Sequence, residues 1–300
     1  MQFLLPILHS SVTIMTPLLL AAMGGLFTEL SGMLNIALEG LLLMGAFCGI
    51  IFTYFTGSMV LGVLLGIVCT MLLSAILATV TLNLRSNVFI TGLATNLFAS
   101  GLTVVLSFKL FGNKGVVVFD TIPSLPVLNI PVLADIPVFG DIFIGHSPFI
   151  YLSWILLAVC YVVLYKTPFG FRLRAAGLHQ KALSSLGMDP DRYRFIAFLI
   201  SGFTCGLGGA LLTLNLGAFV PNITAGKGWI ALVVIFLGNK KPFGLLIAAV
   251  VFGFADAFSN YAQGALNVPA DFILAIPYVF TLIAMLGFSI YAKRKDRFES

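Results

Sequence analysis

The chain has 300 residues, 60% of them hydrophobic and 9% charged, with a formal net charge of +5 and a mean hydropathy of +1.10. A soluble domain has nowhere to bury that much apolar surface, so the composition specifies an all-α polytopic membrane protein. The excess of basic residues does not indicate a nucleic-acid partner, because they sit in short loops beside apolar runs, which is the pattern of membrane topology.

In chain order, apolar runs of spanning length (roughly 17–25 residues) fall at 11–30, 36–56, 59–82 and 88–111. A Pro- and Asp-containing loop at 112–148 follows, with short apolar strips between prolines that suit a compact cap without long helices. Then come 149–165, a charged passage at 166–194, and runs at 195–216, 229–238, 243–262 and 270–291. About nine transmembrane segments result (eight to ten), the seventh too short to cross alone. Cys48, Cys69, Cys160 and Cys205 all lie inside apolar runs without CxxC spacing, and read as core residues rather than ligands or disulfides.

With the basic C-terminal "KRKDRFES" on the cytoplasmic side, alternation puts Arg85, the 166–194 passage, Lys240 and Lys241 there too. Thirteen of the sixteen Lys and Arg then face inward, all but Lys109, Lys114 and Lys227. The 112–148 loop is external in this scheme. The segments also divide around the fifth into two groups of opposite sense. "GMLNIALEGLLL" from Gly32 echoes "GKGWIALVVIFL" from Gly226, each preceded by a polar, Gly-rich stretch. An inverted repeat with interrupted helices is the expectation, and such interruptions mark transport pathways.

Within the charged passage, residues 177–186 read as one short amphipathic helix. Leu178, Ala182, Leu183 and Leu186 share a face, and Gly187 supplies the stop. Asp189 then caps the next helix, with Pro190 in its first turn. A solvated loop has no need of such an apolar face, which wants a protein groove or the lipid interface.

"GLHQKALSSLGMD" resembles the coupling-helix motif of ABC importer permeases: Lys181-Ala182-Leu183, three residues, then Gly187, where the usual form begins Glu-Ala-Ala. That departure, and the lack of a Leu-Pro about a dozen residues on, point to the divergent branch carrying simple sugars, branched-chain amino acids and nucleosides. "TPLLLAAMGGLFTELSGMLNIALEGLLLMGAF", "LRSNVFITGLATNL", "TPFGFRLRAAG", "TAGKGWIALVVIFLG" and "PFGLLIAAVVFGFADAF" are similar to the smaller permease subunit of lipoprotein-dependent nucleoside importers. The resemblance implies one permease domain over 1–300 in the bacterial cytoplasmic membrane, multi-pass with a cytoplasmic C-terminus. Its implied partners are a second homologous permease, a cytoplasmic ABC ATPase, an external substrate-binding lipoprotein and membrane lipid. No cofactor is expected on this chain; ATP and Mg belong to the ATPase. Gly177, Leu178, His179, Gln180, Lys181, Ala182, Leu183, Leu186 and Gly187 are then the ATPase-coupling residues. Nucleosides, purine first, are the implied cargo, with riboflavin or a simple sugar as alternatives.

The candidate pathway residues are polar groups within or beside spans: Asn35, Glu39, Asn96, Asn215, Lys227, Trp229 and Asp256. Glu39 either caps its own helix N-terminus or meets substrate or another subunit. Lys227 either neutralises Glu39 or Glu29 or faces an outer vestibule. Asn96 and Asn215 either hydrogen-bond substrate or knit helices. Asp256 and Asn260 lie four apart on one helix face. An ion-coupled secondary transporter is the rival class, with Glu39 and Asp256 as its coupling carboxylates. A membrane enzyme is excluded, since no HExxH, catalytic carboxylate pair or Cys–His arrangement appears.

Overall fold

A computed structural model describes residues 4–119, 122–123, 125–128, 142–265, 278–283 and 286. The elements are α1 (Leu4–Leu30), α2 (Leu38–Thr56), α3 (Met59–Leu82), α4 (Val88–Phe111), β1 (Val117–Val118), α5 (Pro148–Lys166), α6 (Pro168–Leu178) and α7 (Gln180–Ser185). They continue with α8 (Pro190–Leu216), β2 (Ala218–Phe219), α9 (Lys227–Leu237) and α10 (Pro242–Ala265). Among the described residues, seven helices are long and apolar enough to cross a membrane: α1 to α5, α8 and α10. The expected seventh segment is α9, eleven residues long. The expected ninth, at 270–291, lies outside the described residues except for helical 278–283 and 286; the C-terminal basic cluster and, within the 112–148 loop, residues 120–121, 124 and 129–141 also lie outside them.

The core forms where α8 packs against α1, α2 and α3. Lipid removes the hydrophobic drive between spans, so close backbone approach has to hold them together. Small residues allow that approach: a Cβ on Gly45 of α2 would lie 2.7 Å from the Gly206 Cα of α8. Hydroxyls add interhelical bonds, from Ser74 Oγ to the Phe198 carbonyl (2.5 Å) and from Thr213 Oγ1 to the Ala46 carbonyl (2.8 Å). Cys48, Cys160 and Cys205 are buried free thiols, and Cys69 is half-buried.

Two elements begin inside the bundle. After α1 the chain runs non-helically through residues 31–37 before α2 starts. There Asn35 Oδ1 accepts from Ala37 N (3.0 Å), and its Nδ2 donates to Ser201 Oγ of α8 (2.9 Å). After α8, β2 pairs antiparallel with β1 in the register Val117↔Phe219 and Val118↔Ala218. The chain then turns back through 220–226 into α9. An eleven-residue helix is about 16 Å long, half of a roughly 30 Å hydrocarbon core. Its far end lies beside the end of α1, where Lys240 Nζ meets Glu29 Oε1 at 2.6 Å. The α9 N-terminus therefore sits about midway along α1, and there it meets the α2 N-terminus. A Cβ on Gly228 would collide with the backbone of Glu39.

The passage at 166–194 departs from the sequence expectation. It forms two helices rather than one over 177–186, because His179 takes a non-helical conformation (φ −142°, ψ 70°) between α6 and α7. Thr167 caps α6, accepting from Gly170 N (3.2 Å), and Pro168 occupies its first turn. Gly187 (φ +74°) closes α7, as the glycine's left-handed freedom permits. The Asp189 side chain caps α8, accepting from Asp191 N at 3.0 Å.

Candidate functional site

Glu39 is the node where the two interrupted segments meet. It stands in the first turn of α2, yet its carboxylate caps the other helix. Oε1 accepts from Thr224 Oγ1 (2.5 Å) and Gly226 N (2.9 Å), and Oε2 accepts from Gly228 N (2.7 Å). Two helix N-termini thus direct their positive ends at one carboxylate. The Gly226 and Gly228 amides, which α9 leaves without intrahelical partners, are satisfied across the bundle. Glu39 therefore caps a helix remote in sequence. Asn96 of α4 supports the same node from the other side, accepting from Gly40 N (2.7 Å) and donating to the Ile36 carbonyl (3.0 Å). Asn96 and Asn35 both spend their amides on knitting helices.

Neither of the sequence's two candidate partners for Lys227 is correct. Its ammonium pairs with Asp256 of α10 at 3.2 Å, with the two side chains only 20% and 27% exposed. Glu29 is taken by Lys240 and Glu39 by the α9 amides. The reason is direction: residue 227 opens α9, so its side chain leaves the helix on the face turned to α10, while its neighbours' amides point along the axis at Glu39. The Tyr278 hydroxyl donates to the Ala225 carbonyl, holding the same turn.

The Lys227–Asp256 pair lines a cavity of about 400 Å³ between α1, α8 and α10. Asn215 near the end of α8 and Asn260, one turn beyond Asp256, add neutral donors and acceptors, while Thr13, Ile14 and Pro17 form the α1 side. The structure thus brings Asn215, Lys227 and Asp256 to one cavity, and leaves Asn35, Glu39 and Asn96 behind it as scaffold. Trp229, 40% exposed, does not line it. A fixed ion pair flanked by two carboxamides can hydrogen-bond a polar, uncharged molecule at several points.

In the charged passage, Leu183 is buried, while Leu178 and Leu186 are 76% and 72% exposed. The break at His179 separates these leucines, so they do not make the continuous face read from the sequence. Gly177, His179, Gln180, Lys181, Ala182 and Gly187 are exposed around them. The residue that sequence reasoning missed is Arg194 in the first turns of α8. Its guanidinium donates to Asp191 Oδ1 (2.9 Å), the Ser31 carbonyl (3.2 Å), the Ala176 carbonyl (3.3 Å) and Gln180 Oε1 (3.1 Å). It therefore ties α6, α7 and α8 to the start of the 31–37 segment that leads to Glu39. An arginine three positions after a helix-capping Asp-Pro-Asp is a weak signal, since three of its four partners come from other parts of the chain.

Residues 7–288 match the family described as branched-chain amino acid transport system / permease component. The chain belongs to that family. It is a multi-pass membrane permease component of a transport system rather than an enzyme, in keeping with the seven helices among the described residues that are long and apolar enough to span. The guanosine ABC transporter permease protein NupQ of Bacillus subtilis is 34% identical to it over 96% of this chain and 93% of that one. The nucleoside ABC transporter permease protein NupC of Lactococcus lactis is 33% identical over 91% and 89%. The putative glucose ABC transporter permease protein TsgC13 of Haloferax volcanii is 32% identical over 88% and 79%.

Proposed function

We propose that this permease is the smaller membrane subunit of an ATP-driven importer that moves nucleosides, purine nucleosides first, across the bacterial cytoplasmic membrane. The observation that carries the reading is similarity over nearly the full length, at 34% and 33% identity, to a guanosine permease and a nucleoside permease. In this reading residues 1–300 form one permease domain of nine segments, arranged as an inverted repeat. The meeting of the α2 and α9 N-termini at Glu39 supports it, since discontinuous helices at the centre of two opposed halves are how repeat-built transporters form their sites. Residues 112–148 lie outside, and residues 166–194 and the C-terminus lie in the cytoplasm, as the distribution of basic residues supports.

The α6–α7 passage is the coupling segment. Its exposed Leu178 and Leu186 enter a groove on a cytoplasmic ABC ATPase, which binds the ATP and Mg. A second, homologous permease and an external substrate-binding lipoprotein complete the machine. Cargo crosses along Asn215, Lys227, Asp256 and Asn260. The test is uptake by the purified complex in proteoliposomes. ATP-dependent accumulation of guanosine is expected; uptake driven by an ion gradient without ATP would establish the secondary-transporter class instead. The relation to a putative glucose permease makes glucose the second cargo to assay, with riboflavin third.

A further inference from the structure

The outer end of the bundle holds another cavity, of about 450 Å³, which the pathway above does not include. It lies between the outer ends of α1 and α8, the start of α5 and the loop residues Ile122, Pro123, Leu125 and Val127. It shares Thr13, Asn215 and Leu216 with the Lys227–Asp256 cavity, so the two are consecutive. Its volume falls in the roughly 300–1,000 Å³ range of small-molecule pockets. Thr13, His146, Ser147 and Asn215 give it polar groups, and Leu125 and Val127 an apolar part.

Ser147 is the unexplained residue. It stands at the N-cap of α5 (φ −68°, ψ 151°), where a serine hydroxyl ordinarily accepts from the first-turn amides. Here it makes no cap bond. Only 7% exposed, it leaves a buried Oγ without a hydrogen-bond partner among the described residues. Native interiors rarely tolerate that, and a ligand group is one way to satisfy it.

The adjoining groups are preset by their own bonds. His146 Nε2 lies 2.9 Å from the Ile142 carbonyl, which can only accept, so Nε2 carries the hydrogen. Nδ1 then accepts from the Thr13 hydroxyl at 3.3 Å, leaving the Thr13 oxygen as an acceptor toward the cavity. Burial pushes the His146 pKa below its ordinary value, opposed by the Ile142 carbonyl and reinforced by His9. The neutral ring stacks on His9 with centroids 4.1 Å apart and planes 16° apart, a planar aromatic surface.

We propose that this outer cavity is a receiving subsite for the nucleoside. The ribose hydroxyls exchange hydrogen bonds with Ser147, Thr13 and Asn215, the base lies against the stacked imidazoles, and the molecule then moves past Asn215 to the Lys227–Asp256 cavity. The inference rests on the nucleoside-importer reading and adds a position and a set of contacts to it.

The test uses the assembled complex in lipid nanodiscs, with Leu125→Cys as a reporter and the native chain as the labelling background. Guanosine should slow modification of Leu125→Cys by an impermeant maleimide. At ten times the half-protecting concentration the slowing is about tenfold, by mass action, while glucose gives none. Adding Ser147→Ala should raise the half-protecting concentration about fivefold, the weight of one neutral hydrogen bond. If Ser147→Ala fails to assemble, Asn215→Ala should give the same shift. Equal labelling with and without guanosine, in a preparation that takes guanosine up, overturns the subsite and leaves the importer standing. So does protection that neither variant shifts. A preparation that takes up no nucleoside with ATP overturns the importer reading, and the subsite with it.

Discussion

Glu39 and Lys227 are close in space but do different work. Glu39 accepts from two α9 amides and the Thr224 hydroxyl. Glu39→Gln keeps the shape but turns an amide donor toward either Gly226 N–H or Gly228 N–H. A charge-assisted bond is worth about 1.5–3 kcal/mol, so melting of the purified complex should shift down by that amount and uptake should fall sharply. Wild-type melting and uptake in Glu39→Gln would show that the node does not hold α9 in place. Lys227 and Asp256 call for a double-mutant cycle. Lys227→Met strands a carboxylate that is 27% exposed, at about 3 kcal/mol, the lower end for buried pairs because some solvent reaches it. Lys227→Met and Asp256→Asn should each reduce uptake, and the double variant should lose less than their combined losses. Additive losses in uptake and stability would dissolve the pair.

Among the elements, the 166–194 passage separates a packing role from the docking role proposed for it. Leu183 on α7 is buried, whereas Leu178 at the end of α6 and Leu186 just after α7 are exposed. Leu183→Asp should therefore destabilise the subunit and lower its yield. Leu186→Asp should leave yield and melting unchanged while abolishing the stimulation of ATP hydrolysis by substrate-loaded binding protein. Wild-type stimulation and uptake in Leu186→Asp would mean that the ATPase docks elsewhere. Arg194 gives the element its stiffness, because a planar guanidinium can serve four acceptors that a lysine cannot reach together. It also sits at the base of the 31–37 segment, so α6 and α7 are joined by direct contact to the chain that leads to Glu39.

At the scale of the molecule, topology is the testable property. The β1–β2 ladder joins the chain after α4 to the chain after α8, so both lie at one end of the bundle. The Lys240–Glu29 and Arg194–Ser31 contacts define the opposite end. Single cysteines at Asn113 and Ser184, both exposed, should react with an impermeant reagent from opposite sides of intact cells. Asn113 should be modified from outside, and Ser184 only after permeabilisation. Modification of both from outside would overturn the orientation around α5.

What was legible in the sequence is what repeats along the chain at short range. Continuous apolar runs identified α1 to α5, α8 and α10, because lipid forces each span to satisfy its own backbone and so to be apolar over its whole length. The shortness of α9, and the turn chemistry of Gly187 and of Asp189-Pro190, were readable for the same reason. Partners across the bundle were not. A carboxylate partner is one of the two readings the sequence allows for Lys227, with Glu39 and Glu29 as its candidates, but the direction its side chain leaves α9 turns it to Asp256 instead. The sequence allows Glu39 to cap its own helix or to meet substrate or another subunit, and only packing shows its carboxylate on the amides of the helix that begins at residue 227. The break at His179 and the four-way bonding of Arg194 were equally hidden, since a run of helix-forming residues looks continuous until tertiary contacts compete for its ends. The sequence by itself determined the spans and their orientation rule, through the energetics of one segment in lipid. The tertiary structure decided which polar groups became scaffold and which were left facing a cavity, because a buried hydrogen bond is chosen by geometry between segments that share no local pattern.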